Sequence, residues 1–114
     1  MPLRHVLGAA AGALVLALSL PGSASAAQGD FTYVYNDSNG TPQAGQLTDP
    51  PSGVCLTLPE VASDWTTPAH TPRNFTGSTA TVFAGTDCSG PYFSLRPHVG
   101  HASERLKVRS VVFS

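Results

Sequence analysis

Short alternating stretches, interrupted by proline and glycine, constrain the fold of this chain more than any other feature. In the segment DFTYVYN, residues 30–36, the aromatic residues fall on one face of an extended strand, and Thr32 and Val34 fall on the other. Eleven glycines and ten prolines interrupt the chain, and its one short helical candidate is LPEVASDW. About six or seven short strands joined by polar turns are therefore expected, which indicates an all-β fold, either a small sandwich or a barrel.

The predicted strands lie on either side of a long, irregular middle segment. They are expected within residues 30–36, 44–50, 53–59, 78–84, 91–97 and 106–113. Asn39 and Gly40 form a strong turn pair, because both tolerate positive φ. Residues 60–78 are rich in Thr, Pro, Ser and Asn, and they are predicted to form a long loop with one strand near 74–76.

The alternation also predicts a core. The expected buried positions are Phe31, Tyr33, Tyr35, Leu47, Val54, Leu56, Val82, Phe93, Leu95 and either Val111 or Val112. The pattern leaves open which face of the last strand is buried, since a shift of one residue reverses the faces.

The first residues have the organisation of a secretory signal peptide. Arg4 and His5 precede an apolar run over residues 6–20, and the small residues of SASAA follow it. The run is shorter than the roughly 20 residues of a membrane-spanning helix. We therefore predict a signal peptide over residues 1–26, cleaved after Ala26 or Ala27, and a single all-β domain over residues 27–114, secreted to the extracellular space and free of the membrane.

Cys55 and Cys88 both lie in the predicted mature domain. Two cysteines in a small exported chain indicate one disulfide. A domain of this size has only a small core, so the bridge is expected to contribute substantially to its stability.

The charge is close to balanced, with a formal net charge of −1 at pH 7. A surface with so little net charge is not expected to attract nucleic acid or an anionic membrane. We also expect a monomer. One asymmetry stands out, because the C-terminal end is locally basic through Arg96, Arg105, Lys107 and Arg109.

The spacing of Phe83, Gly90 and Ser110 resembles the Greek-key unit of βγ-crystallin-like domains. The arrangement LTDPPSGVCLTL, NFTGSTATVF, DCSGPYFSLRP and SVVF also resembles small secreted actinobacterial proteins of unassigned role. In the crystallin-like unit an aromatic residue and a glycine shape a folded hairpin, and a later serine hydrogen-bonds to it. The resemblance implies a Greek-key β-sandwich, with the first half of the chain as a degenerate copy. Some secreted bacterial members are proteinase inhibitors or resemble killer toxins, but a fold alone does not assign a function.

No metal or other cofactor is expected. At the positions of the family's calcium ligands this chain has Arg105 and Leu106, which offer no oxygen ligands. Asp37, Asn39 and Asp49 offer oxygens, but such residues in turns usually bond their own backbone. His70, His98 and His101 are candidate zinc ligands, although histidines in a loop such as RPHVGHASE are usually only solvated.

Catalysis is also not expected. His70 and Asp64 are the available base and acid for a serine nucleophile, but no serine lies in a nucleophile-elbow motif. A chain of this size has little room for both a core and a deep pocket.

The middle loop is the best candidate for binding. Trp65, His70 and Arg73 lie there among prolines, and Trp and Arg are common interface anchors. The alternative is that Trp65 caps the core. We therefore expect a non-catalytic binding or inhibitory module whose partner is an extracellular protein such as a proteinase. The alternatives are a structural or stress-related protein without a ligand and a small secreted hydrolase.

Overall fold

The computed structural model of the chain describes residues 26–114. Except for Ala26, the predicted signal peptide lies outside the described residues. Ala27 is fully buried, and its N–H donates to the carbonyl of Pro50 at 2.8 Å. The chain is therefore packed against the domain from Ala27 onward. Within residues 26–114, no helix has both the length and the apolar character needed to cross a bilayer.

Eight strands form two antiparallel sheets of four strands each. They are β1 (Asp30–Asn36), β2 (Pro42–Thr48), β3 (Leu56–Thr57), β4 (His70–Asn74), β5 (Ala80–Phe83), β6 (Tyr92–Leu95), β7 (Gly100–His101) and β8 (Ser110–Phe113). The strand order is β2-β1-β4-β7 in the first sheet and β3-β8-β5-β6 in the second. The all-β prediction is confirmed, with eight strands in place of six or seven.

The two halves of the domain have the same strand arrangement and exchange their third strands. β1, β2 and β4 are neighbours in the first sheet, whereas β3 lies in the second sheet beside β8. Likewise β5, β6 and β8 are neighbours in the second sheet, whereas β7 lies in the first beside β4. Each sheet therefore needs one strand from the other half of the chain.

The hairpin between β1 and β2 turns at the predicted Asn39–Gly40 pair. Gly40 has φ 79°, a conformation that side chains disfavour, and its N–H donates to the carbonyl of Asp37. The Asp37 carboxylate accepts the N–H groups of Asn39 and Thr41, both at 2.9 Å. The turn thus satisfies its own amides, as expected of an Asx residue.

The hairpin between β5 and β6 is instead held by a distant serine. Ser110 Oγ donates to the carbonyl of Gly85 at 2.6 Å and accepts the N–H of Cys88 at 2.9 Å. Gly90 ends the hairpin with φ 82°. The Phe83 ring lies 6.0 Å from that of Tyr92, centroid to centroid, across the paired strands. One hydroxyl from β8 therefore satisfies two backbone groups of this hairpin.

The predicted disulfide is confirmed and fastens the same hairpin. Cys55 and Cys88 are joined across a sequence separation of 33. One residue before the bridge, the N–H of Asp87 donates to Thr57 Oγ1 at 3.1 Å. The hairpin is thereby attached to the chain around β3 as well as to β8.

The core lies between the two sheets, and five of the predicted core positions are fully buried in it. The buried apolar residues are Ala27, Phe31, Tyr33, Leu58, Val61, Ala69, Ala80, Val82, Leu95, Val108, Val111 and Phe113. Two predictions were wrong, since Val54 is 48% exposed and Phe93 is 50% exposed. In the last strand, Val111 and Phe113 point inward, whereas Val112 is only half-buried.

The middle segment is more ordered than the sequence suggests. The strand expected near 74–76 is β4, His70–Asn74, which pairs with both β1 and β7. The helical candidate shortens to one 3₁₀ turn at Pro59–Val61. The two-residue strand β7, Gly100–His101, was not expected.

Asn74 and Thr76 form a buried polar cluster at the end of β4. The Asn74 amide donates to the carbonyls of Ser78, Leu95 and Arg96 at 2.8–3.1 Å. Its Oδ1 accepts the N–H and the hydroxyl of Thr76. The asparagine is 1% exposed, so this side chain joins the end of β4 to the end of β6.

Candidate functional site

Trp65 projects almost fully into solvent from a tight turn. Its side chain is 95% exposed, more than any other large apolar residue in 26–114. The turn, residues 63–66, is closed by the N–H of Thr66, which donates to the carbonyl of Ser63 at 3.2 Å. Ser63 Oγ also accepts the N–H of Trp65 at 3.1 Å. The alternative in which Trp65 caps the core is wrong.

The guanidinium of Arg109 holds this turn in place from the last strand region. Its Nη1 donates to the carbonyls of Val61 and Ser63 at 3.0 and 2.7 Å. Its Nη2 donates to the carbonyl of Thr66 at 2.6 Å. A planar group with several fixed donors is well suited to joining carbonyls from both ends of a turn. This role could not be predicted from a local pattern, because the contact spans 43 to 48 positions.

A groove of about 550 Å³ adjoins Trp65, and we call it the Trp65 groove. It is lined by Tyr35, Asn36, Asp37, Ser38, Gly40, Glu60, Trp65, Thr66 and Thr67. The hairpin of β1 and β2 forms one wall, and the 3₁₀ turn and the Trp65 turn form the other. Two aromatic rings and two carboxylates thus border the same open space.

Glu60 is oriented by the core. The buried Tyr33 hydroxyl donates to Glu60 Oε1 at 2.7 Å. The pKa of Tyr33 is raised far above its usual range, mainly by burial and secondly by the hydrogen bond to Glu60. The phenol therefore stays protonated and remains a donor.

Asp37 contributes a second carboxylate to the groove. The pKa of Asp37 lies below its usual range because its carboxylate accepts three hydrogen bonds. The largest effect comes from the backbone N–H of Thr41, followed by the Gln43 amide and the N–H of Asn39. Its charge therefore persists to lower pH than that of an ordinary aspartate, and its orientation is fixed by the turn that it caps.

The predicted binding-loop residues do not form one site. His70 begins β4 opposite Val34, and its Nδ1 lies 2.8 Å from the hydroxyl of Thr71. Arg73 lies further along β4 and borders a second groove, of about 280 Å³, with Phe75, His98 and His101. Only Trp65 of the three lines the Trp65 groove.

The candidate metal-binding residues are also dispersed. His98 and His101 border the second groove without His70. Across the described residues, no three His, Cys, Asp or Glu side chains are grouped closely enough to hold a metal ion. Asp49 accepts the N–H of Gly29 at 2.7 Å, and Asp37 caps its own turn, so these carboxylates bond backbone groups.

Comparisons with known proteins identify no relative. No protein-family model matches the chain, and no curated protein or solved structure matches it either.

Proposed function

We propose that the chain is a non-catalytic binding module whose recognition surface is Trp65 together with the Trp65 groove. The observation that carries this proposal is a tryptophan 95% exposed on a turn that Arg109 holds at both ends. Exposing so large an apolar side chain forgoes the free energy of burying it. Burial against a partner recovers that free energy.

The fixed turn lowers the entropic cost of association. A loop that is ordered before binding loses little freedom when it meets its partner. Tryptophan is enriched among the residues that dominate interface energies, and such anchors usually enter a pocket. With Asp37 and Glu60 beside it, the surface suits a partner that offers an apolar pocket rimmed by cations or hydrogen-bond donors.

The partner that we propose is an extracellular protein such as a proteinase, in line with a secreted domain. A hydrophobic slot that accepts an aromatic side chain, as in chymotrypsin-like proteinases, is the simplest complement to Trp65.

For the predicted signal peptide, cleavage after Ala26 is favoured over cleavage after Ala27, because it keeps the buried Ala27 in the mature domain.

The experiment is an inhibition assay with the secreted form, residues 27–114. It is titrated against a panel of extracellular proteinases that begins with those accepting aromatic side chains. We expect inhibition that Trp65→Ala abolishes and Phe75→Ala leaves intact, since Phe75 is half-exposed but borders the second groove. If no enzyme is inhibited, proteinases are removed as partners; equal inhibition by Trp65→Ala removes the Trp65 surface.

The competing functions have their own readouts. Turnover of a generic ester, glycan or peptide substrate would favour the small hydrolase. Absence of any protein partner would favour a structural or stress-related role.

We also propose that the domain is a βγ-crystallin-like Greek key. Support comes from the exchange of β3 and β7 between the two halves and from the bonds of Ser110 to the β5–β6 hairpin. The first half has a matching glycine of positive φ, Gly40, but Asp37 rather than a distant serine satisfies its hairpin. A determined structure superposed on crystallin-like domains is the test of this assignment.

A further inference from the structure

Strand β6 forms an open edge of the second sheet. Its only strand neighbour among the described residues is β5. The N–H of Ala84 donates to the carbonyl of Pro91, and alternate residues of an antiparallel pair share a direction. Phe93 and Leu95 therefore direct their backbone groups toward β5, whereas Tyr92 and Ser94 direct theirs outward. Within residues 26–114, no other strand bonds the backbone of Tyr92 or Ser94.

The side chains along this edge are unusually apolar for an exposed strand. Tyr92 is 70% exposed and Phe93 is 50% exposed. Phe93 borders two shallow hollows, one of about 260 Å³ that reaches Leu106 and one of about 250 Å³ that reaches Val99. An added strand would place alternate side chains in these hollows while its backbone met the outward groups of β6.

The charge around the edge has one sign. Arg105 and Leu106 border the hollow beside Phe93, and together with Lys107 they border a further hollow beside Tyr92. Arg96 borders the remaining one. Glu104, the acidic residue of the same loop, borders none of them. A segment with carboxylates at its outer positions is therefore complementary to this edge.

We propose that β6 is a docking edge for an extended, acidic segment of another protein, which adds to the second sheet as its fifth strand. A second copy paired edge to edge would bring the cations of both copies together, which opposes that arrangement. Residues 1–25 of this chain contain no Asp or Glu, so they lack the complementary charge. The proposal is independent of Trp65, which borders a different groove.

The probe is a synthetic peptide of about eight residues in which valine alternates with glutamate. Binding is followed by NMR, through the chemical shifts and hydrogen exchange of the Tyr92 and Ser94 amides. We expect saturable binding that protects both amides and weakens with salt. The matched peptide with lysine in place of glutamate should not bind.

The test variant is Ser94→Pro, with Ser94→Ala as its control. Proline is tolerated on an edge strand where its missing N–H would face solvent, so the fold should persist while the new ladder loses a donor. We expect the peptide affinity of Ser94→Pro to fall by about tenfold or more and that of Ser94→Ala to remain unchanged. If Ser94→Pro fails to fold, Arg105→Glu tests the charge instead, with the same expected loss.

Several outcomes would overturn the proposal. They are absence of peptide binding, equal binding of the lysine peptide, and unchanged binding by Ser94→Pro or Arg105→Glu. Two others replace the occupant. Concentration-dependent dimers that protect the Ser94 amide without peptide indicate a second copy, and competition by single-stranded oligothymidylate at the same amides indicates a nucleic acid.

Discussion

Arg109 and Thr66 are joined by a 2.6 Å hydrogen bond from the guanidinium Nη2 to the backbone carbonyl. The bond spans 43 positions of sequence and ties the region before β8 to the turn that displays Trp65. Without it, the turn would depend on its own short-range bonds through Ser63. The exposure and the orientation of Trp65 are thus linked through one cation.

Replacing Arg109 by Met should loosen the Trp65 turn. Three carbonyls lose a charged donor. Hydrogen bonds to a charged group contribute about 1.5–3 kcal/mol each to the free energy of unfolding. Trp65 is the only tryptophan, so its fluorescence anisotropy reports the turn directly. We expect the anisotropy to fall in Arg109→Met and to stay unchanged in Arg105→Met, the control. Equal anisotropy in the two variants would contradict the role given to Arg109.

Asn74→Asp should destabilise the domain strongly. The substitution replaces an amide donor that meets three carbonyls with a carboxyl oxygen, inside a site that is 1% exposed. The expected loss is about 3 kcal/mol or more in the free energy of unfolding. Urea denaturation measures it, with Asn39→Asp in the exposed hairpin as the control. A loss no larger than that of the control would show that the cluster is not needed.

Removal of the disulfide, by Cys55→Ala with Cys88→Ala, should lower the free energy of unfolding by about 3–4 kcal/mol, since the bridge closes a loop over 33 positions. The hairpin keeps its bonds to Ser110, so we expect the remaining folded molecules to retain the native sheet. Denaturation of both forms, with mass spectrometry to count free thiols in the wild type, checks the prediction. Two free thiols or equal stability would contradict it.

Alkaline pH should destabilise the domain through Tyr33. Its pKa is raised in the folded state by burial and by Glu60, so the unfolded chain releases this proton first. The stabilisation is complete below the unfolded pKa of about 10 and is lost progressively as the pH rises toward the folded value. Unfolding free energies at about pH 8 and about pH 11 should differ more in wild type than in Tyr33→Phe. An equal difference in both proteins would rule out this source.

The features that could be predicted from the sequence were those that depend on residues close together in the chain. Alternation identified β1, and the Asn39–Gly40 pair identified its turn, because both depend on neighbouring residues. The cysteine count identified the bridge. The strand β4 was misplaced, since its pairing depends on two partners that are distant in sequence.

The site was predictable only in part. Trp65 stood out by residue type, but the turn that displays it is bonded by Arg109, whose contact no periodicity reveals. His70 and Arg73 were grouped with it by sequence proximity, whereas the strand β4 removes them from the turn. The open edge at β6 follows from the order of the strands in the second sheet. That order cannot be predicted from the sequences of such short strands.

The most direct test of the central claim is a comparative capture experiment. Immobilised wild type, Trp65→Ala and Phe75→Ala forms of residues 27–114 are exposed to the culture supernatant of cells that express the chain, and bound proteins are quantified by mass spectrometry. We predict that wild type and Phe75→Ala retain the same extracellular protein and that Trp65→Ala loses it, as expected for an anchor contributing about 2 kcal/mol or more. Capture of nothing by the wild type, or equal capture by Trp65→Ala, would contradict the claim.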